Sequence, residues 1–140
     1  MKVDQLLVEA KLTESDFQSA TLDSIARYRD FETVFDLSEL RFRNGKYCGY
    51  QLIRGTLAAY ATASSFCVLC DARRPDLIEA WYRVMQAVRI YDLRSRLKLL
   101  TWQELAAALP KGLQRFLAVK YGIGFETNSV TPASLSLHTQ

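Results

Sequence analysis

Glu9 and Lys11 are the two residues whose types and spacing carry the most chemistry in this chain. They stand in Gln5-Leu6-Leu7-Val8-Glu9-Ala10-Lys11, a short apolar run that reads as a buried strand. A carboxylate and an ammonium are costly in such a setting unless they are paired or bound to a metal. Side chains alternate along a strand, so the two project from one face, about 7 Å apart along the backbone. Glu-x-Lys in this position suits metal-assisted hydrolysis of a phosphodiester. The carboxylate holds Mg²⁺, and the lysine orients or deprotonates a water and neutralises charge building on the phosphorus. The same tripeptide also serves proteins as a plain edge-strand ion pair.

The elements that must position this pair are legible in outline. Lys11 to Asp16 turns polar, and Thr21 to Asp36 has mixed periodicity, fitting either an irregular helix or a long functional loop. Arg41, Arg43 and Lys46 surround a turn signal at Asn44-Gly45. From Tyr47 to Ala63 the pattern is helical, with Tyr50, Ile53 and Leu57 on one stripe. Phe66 to Cys70 reads as a strand apolar on both faces, as inside a covered sheet. Pro75 begins a helix running to about Ile90, and Asp76 sits in its first turn, where the helix dipole favours an acid. Arg96 to Leu100 is another short strand, and Thr101-Trp102-Gln103-Glu104 is a capping box. Helix follows to Leu109, then from Gly112 to Tyr121, where Gly122 stops it. Strands alternating with helices predict a small α/β domain: a mixed sheet flanked by helices over residues 1–123. Residues 124–140 are rich in Ser and Thr and are expected to form a disordered tail.

Composition narrows the classes. The chain has 140 residues, 49% apolar and 24% charged, which suits one globular domain. It has neither a run near the ~20 apolar residues of a membrane span nor a signal-like N-terminus, so a cytoplasmic protein without a membrane partner is expected. Net charge is +3, which tolerates a nucleic-acid partner without demanding one. Cys67 and Cys70 match C-x-x-C, but residues three apart on a strand face opposite ways, so with Cys48 they read as small buried hydrophobes rather than zinc ligands.

The order of elements, together with four segments, resembles the PD-(D/E)XK, or restriction-endonuclease-like, nuclease superfamily over roughly Val3 to Ile123. The segments are Leu7 to Glu14 (Leu-Val-Glu-Ala-Lys-Leu-Thr-Glu), Gly49 to Arg54 (Gly-Tyr-Gln-Leu-Ile-Arg), Cys70 to Leu77 (Cys-Asp-Ala-Arg-Arg-Pro-Asp-Leu) and Leu99 to Leu105. The resemblance implies an Mg²⁺-dependent DNA endonuclease with Glu9 as metal ligand, Lys11 beside it and Gln51 on the following helix. Tyr commonly stands four residues after that glutamine; here the position is Gly55. Arg54, on the same helical face as Gln51, together with Arg43, Lys46, Arg73 and Arg74, would contact DNA phosphates.

One departure bears on activity. The superfamily takes a second acid from a strand before the Glu-x-Lys strand, and only Met1 to Gln5 precede it here. Asp4 would lie about 17 Å from Glu9 on the opposite face, so the two cannot share an ion. The core is therefore expected to lack its first helix and strands, with the missing acid coming from Glu14, Asp36, an N-terminal segment or a second protein chain. Weak Mg²⁺ binding follows from a single carboxylate. The alternatives to an endonuclease are a non-catalytic nucleic-acid-binding or protein-interaction remnant, and a subunit whose open edge strand pairs with another polypeptide.

Overall fold

The computed structural model describes residues 2, 3 and 5–124. Asp4 and the segment from Phe125 to Gln140, which holds nearly all of the expected tail, lie outside the described residues. β1 (Lys2–Val3) turns back into β2 (Leu6–Ala10), and a polar stretch leads to β3 (Ser19–Thr21). Two short helices follow, α1 (Leu22–Ala26) and α2 (Phe31–Val34), then a hairpin of β4 (Phe42–Arg43) and β5 (Lys46–Cys48). Next come α3 (Tyr50–Ala61), β6 (Ser65–Cys70), α4 (Pro75–Ala87), α5 (Tyr91–Ser95) and β7 (Leu97–Thr101). The helices α6 (Trp102–Ala107) and α7 (Lys111–Tyr121) complete it.

The strands form two sheets, and the fold is a small mixed α/β one. In the larger sheet the order is β1-β2-β6-β7, with β2, β6 and β7 parallel and β1 antiparallel to β2. The three strands read from the sequence thus share one sheet, and β2 and β6 are neighbours. Ahead of β2 the two-residue β1 covers the start of its outer edge, where Lys2 pairs with Leu7 and Val3 with Leu6.

Register decides which way Glu9 points. Leu7 pairs with Phe66, Glu9 with Val68 and Val68 with Leu99. Partners across a ladder share a face, so Leu7, Glu9 and Lys11 lie on the side of Phe66, Val68 and Cys70. That side is the core, where these residues bury against Leu52, Ile53 and Leu57 of α3 and Leu77, Trp81 and Val84 of α4. Each large apolar side chain so buried contributes roughly 1.5–3 kcal/mol, an upper estimate because denatured chains already bury part of this surface. The Trp81 indole N–H also donates to the Lys98 carbonyl at 3.0 Å, tying α4 to β7.

The second sheet, of order β3-β5-β4, was not expected. It takes Tyr47 out of the predicted helix, since Lys46–Cys48 pairs with both Ser19–Thr21 and Phe42–Arg43. Asn44 and Gly45, with φ of 52° and 72°, make the tight hairpin turn that their types predicted. Gly49, at φ 76°, then swings the chain from β5 into α3, a conformation that other residues enter at a cost. The Thr101–Glu104 capping box and the Gly122 stop form as read.

Candidate active site

Backbone bonds on both sides fix Lys11 at the exit of β2. Its N–H donates to the Leu69 carbonyl at 2.8 Å, and its carbonyl accepts the Trp102 indole N–H at 2.8 Å. The residue is only 4% exposed. Its Nζ lies 3.4 Å from a Glu9 carboxylate oxygen and 5.6 Å from the centre of the Phe17 ring. Glu9 retains 23% side-chain exposure, so the pair is a buried cation behind a carboxylate that still meets solvent.

Gln51 reaches this end of the sheet through α3. The helix must end where β6 begins, so it runs against the strands and its first turn lies at their C-terminal ends. Gly55 faces the Phe66 ring directly, and Phe66 is level with Leu7. Gln51 stands four residues earlier, about 6 Å along the helix toward those ends. The side-chain oxygen of Gln51 is buried with no hydrogen-bond donor. Gly49 offers no side chain to cap this helix, so the loop after β2 does it: Tyr50 N–H donates to Gln18 O and Gln51 N–H to Phe17 O, both at 3.1 Å. The same loop therefore supplies the ring against Lys11 and the carbonyls that hold Gln51.

The cations expected at phosphates divide into two groups. Arg73 grips the buried Asp71 at 2.6 Å and donates to the Tyr121 and Gly122 carbonyls, clamping the end of α7. Arg74 pairs with Asp76 at 2.7 Å and donates to the Glu14 and Ser15 carbonyls. Both are committed to holding the fold. Arg43, Lys46 and Arg54 are exposed and absent from every ion pair among the described residues. Arg43 and Lys46 pair across the β4–β5 hairpin, while Arg54 stacks over Tyr50 at 5.6 Å.

The candidate second acids are engaged elsewhere. Glu14 accepts the Leu12 and Thr13 N–H groups, which hold its carboxyl below the ordinary range with help from nearby Lys11. Asp36 accepts the Ser38 N–H and hydroxyl. Among the described residues no three of His, Cys, Asp and Glu converge on a point that could hold a metal ion. Cys67 and Cys70 are buried free thiols whose burial pushes them up from the usual thiol range.

Sequence reasoning missed Trp102, Phe17 and Asp71. Trp102 sits 91 positions from Lys11, and no local pattern signals a bond at that separation. Asp71 accepts from Arg73, the Arg73 N–H and Gln103, and these hold its carboxyl far below the usual range.

No helix among the described residues is long and apolar enough to cross a membrane. Comparison with curated proteins and with solved structures finds no match. A family model described as "Restriction Endonuclease associating with ARP" matches residues 1–122. With nearly nine-tenths of its length covered, the chain belongs to this restriction-endonuclease family, REase-ARP.

Proposed function

We propose that this chain is the core of a PD-(D/E)XK-type nuclease that hydrolyses DNA phosphodiesters with Mg²⁺, using Glu9, Lys11 and Gln51. One observation carries the reading: a buried ammonium lies 3.4 Å from a partly open carboxylate at the exit of a parallel strand. Ligands in open α/β sheets gather at the carboxyl ends of strands, and this pair stands there. Family membership supports a nuclease-related role.

The donor atoms suit a hard cation. Glu9 offers carboxylate oxygens, and Gln51 offers a buried amide oxygen without a hydrogen-bond partner among the described residues. Mg²⁺ commonly takes one or two carboxylates and fills its remaining positions with water and substrate phosphate. When bound, the ion would polarise the phosphate and acidify the attacking water. Lys11, its backbone fixed by Leu69 and Trp102, would turn its ammonium to a non-bridging oxygen or the water. Arg43, Lys46 and Arg54 would supply phosphate contacts that position the strand without reading bases.

A second reading, DNA or partner binding without hydrolysis, is favoured by the lack of a three-ligand cluster among the described residues. Plasmid DNA with Mg²⁺ or Mn²⁺ separates the two. Nicking or linearisation by the wild type, reduced roughly 10²-fold or more in Glu9→Gln, is expected for the nuclease. Binding with equal background cleavage in both proteins would leave only the second reading.

A further inference from the structure

On the solvent flank of α3, one turn from Gln51, lies a groove of about 230 Å³. Tyr28, Arg29 and Asp30, from the turn between α1 and α2, line it opposite Arg54, Leu57 and Ala58 of α3. Leu57 and Ala58 make its floor apolar. The Tyr28 and Tyr50 hydroxyls meet at 3.0 Å and share one hydrogen, which leaves a second O–H free to donate outward. Arg54 is already stacked on the Tyr50 ring, and neither Arg29 nor Arg54 has an acidic partner among the described residues. Asp30, also in the lining, adds a carboxylate that forms no ion pair among the described residues.

Two free guanidiniums, an apolar floor, an aromatic hydroxyl and one acceptor match the parts of a nucleotide. Arginines take phosphate, apolar and stacked planar groups take a base face, and a carboxylate accepts from an exocyclic amine. A base inside a duplex keeps its faces stacked and its edge paired, so it cannot enter such a groove without leaving the helix. We infer that this groove holds one unpaired nucleotide of the substrate strand, with its phosphate at Arg29 and Arg54 and its base over Leu57 and Ala58. Arg54 is three residues from Gln51, about 4.5 Å along the helix, so the nucleotide would be close to the scissile phosphate. The inference rests on the nuclease reading and makes its substrate a single-stranded, frayed or branched end rather than continuous duplex.

The test is fluorescence anisotropy in EDTA, where no strand is cut, with a labelled single-stranded oligonucleotide and a duplex of the same length. The wild type should prefer the single strand by about ten-fold or more, the scale of one stacked base. Arg29→Ala should weaken single-strand binding by about ten-fold, lower its salt slope by about 0.7 and barely change duplex binding, while Arg54→Ala should cost the single strand more than the duplex. Tyr28→Phe should weaken the single strand alone. Equal losses on both substrates, or a wild type without preference, would overturn the inference and leave the nuclease reading standing. Competition by a free deoxynucleoside monophosphate at the affinity of the strand would also overturn it, since the groove would then be a mononucleotide site. Failure of the wild type to bind either nucleic acid, in EDTA and again with Ca²⁺ in place of Mg²⁺, would remove both.

Discussion

The ion pair at Glu9 and Lys11 is asymmetric, and that asymmetry separates structural from chemical roles. Lys11 is the buried member, so removing Glu9 takes away its ion-pair partner and leaves the Phe17 face and the charge of nearby Glu14 to offset a buried cation. Glu9→Ala should therefore cost up to about 3 kcal/mol in urea unfolding, near the lower end for breaking a buried pair. Lys11→Met fills the same channel with an apolar chain and leaves Glu9 to water, so its stability should match wild type within about 1 kcal/mol. If the lysine acts on phosphate, Lys11→Met loses cleavage roughly 10²-fold or more while remaining folded. An inert ion pair would show the stability asymmetry alone. Asp71 is the contrasting case, a buried carboxylate held by Arg73 and Gln103. Its carboxyl titrates far below the unfolded value near 3.9, so its contribution is complete above about pH 4 and drains away as pH falls further. Asp71→Asn should cost roughly 1–3 kcal/mol at pH 7 and flatten the acid limb of thermal stability between about pH 4 and pH 2. An unchanged acid limb would show that Asp71 is not among the groups that set it.

At the scale of elements, α3 rests on the larger sheet through Gly55. A Cβ placed there would come within 2.3 Å of the Phe66 ring, and that ring is wedged edge-on against Trp81 at 5.3 Å. The tyrosine common in the resembling nucleases cannot stand at this position because Phe66 already fills the space. Alanine usually stabilises a helix over glycine by about 1 kcal/mol, but overpacking should win here, and Gly55→Ala should lower stability by about 1–3 kcal/mol. Adding Phe66→Leu should recover part of that loss; no recovery would place the strain elsewhere. The same packing shows what could be read beforehand. β2, β6, β7, α3 and α4 were legible because each holds its period for five residues or more, and the capping box announced α6. β3, β4 and β5 are only two or three residues long, too short for alternation to register, so the helix drawn from Tyr47 absorbed β5. Glu9 and Lys11 stood out as types at a spacing, and Gln51 entered only through the resemblance. The bonds that hold them, from Trp102, Leu69 and the Phe17 loop, join distant parts of the chain and leave no local trace.

At the scale of the whole molecule, metal and nucleic acid should bind as one event. Lys2 and Val3 of β1 pair with Leu7 and Leu6, and a strand added ahead of β1 in the same antiparallel register would place a residue opposite Glu9. Directly opposite residues in an antiparallel pair share a face with their Cβ atoms about 5 Å apart, the spacing at which two carboxylates can share one ion. Among the described residues no group of three His, Cys, Asp or Glu converges to hold an ion at Glu9, and Lys11 adds a repelling charge beside it. Mg²⁺ binding to the chain alone should therefore be weak, in the millimolar range or poorer, because so few ligands repay its dehydration. A DNA phosphate brings anionic oxygens to the same place, so each ligand should tighten the other by an equal factor, on the order of ten-fold or more for a coupling above about 1.4 kcal/mol. Calorimetric titration of Mg²⁺ with and without a phosphorothioate oligonucleotide, which resists cleavage, measures that factor directly. An N-terminal extension carrying Asp at the place facing Glu9 should raise affinity for Mg²⁺ without DNA, and Glu9→Gln should abolish the gain. Tight Mg²⁺ binding by residues 1–140 alone, lost in Glu9→Gln, would mean that further ligands come from within this chain. An extension without effect would mean that the strand facing Glu9 takes no part in holding the ion.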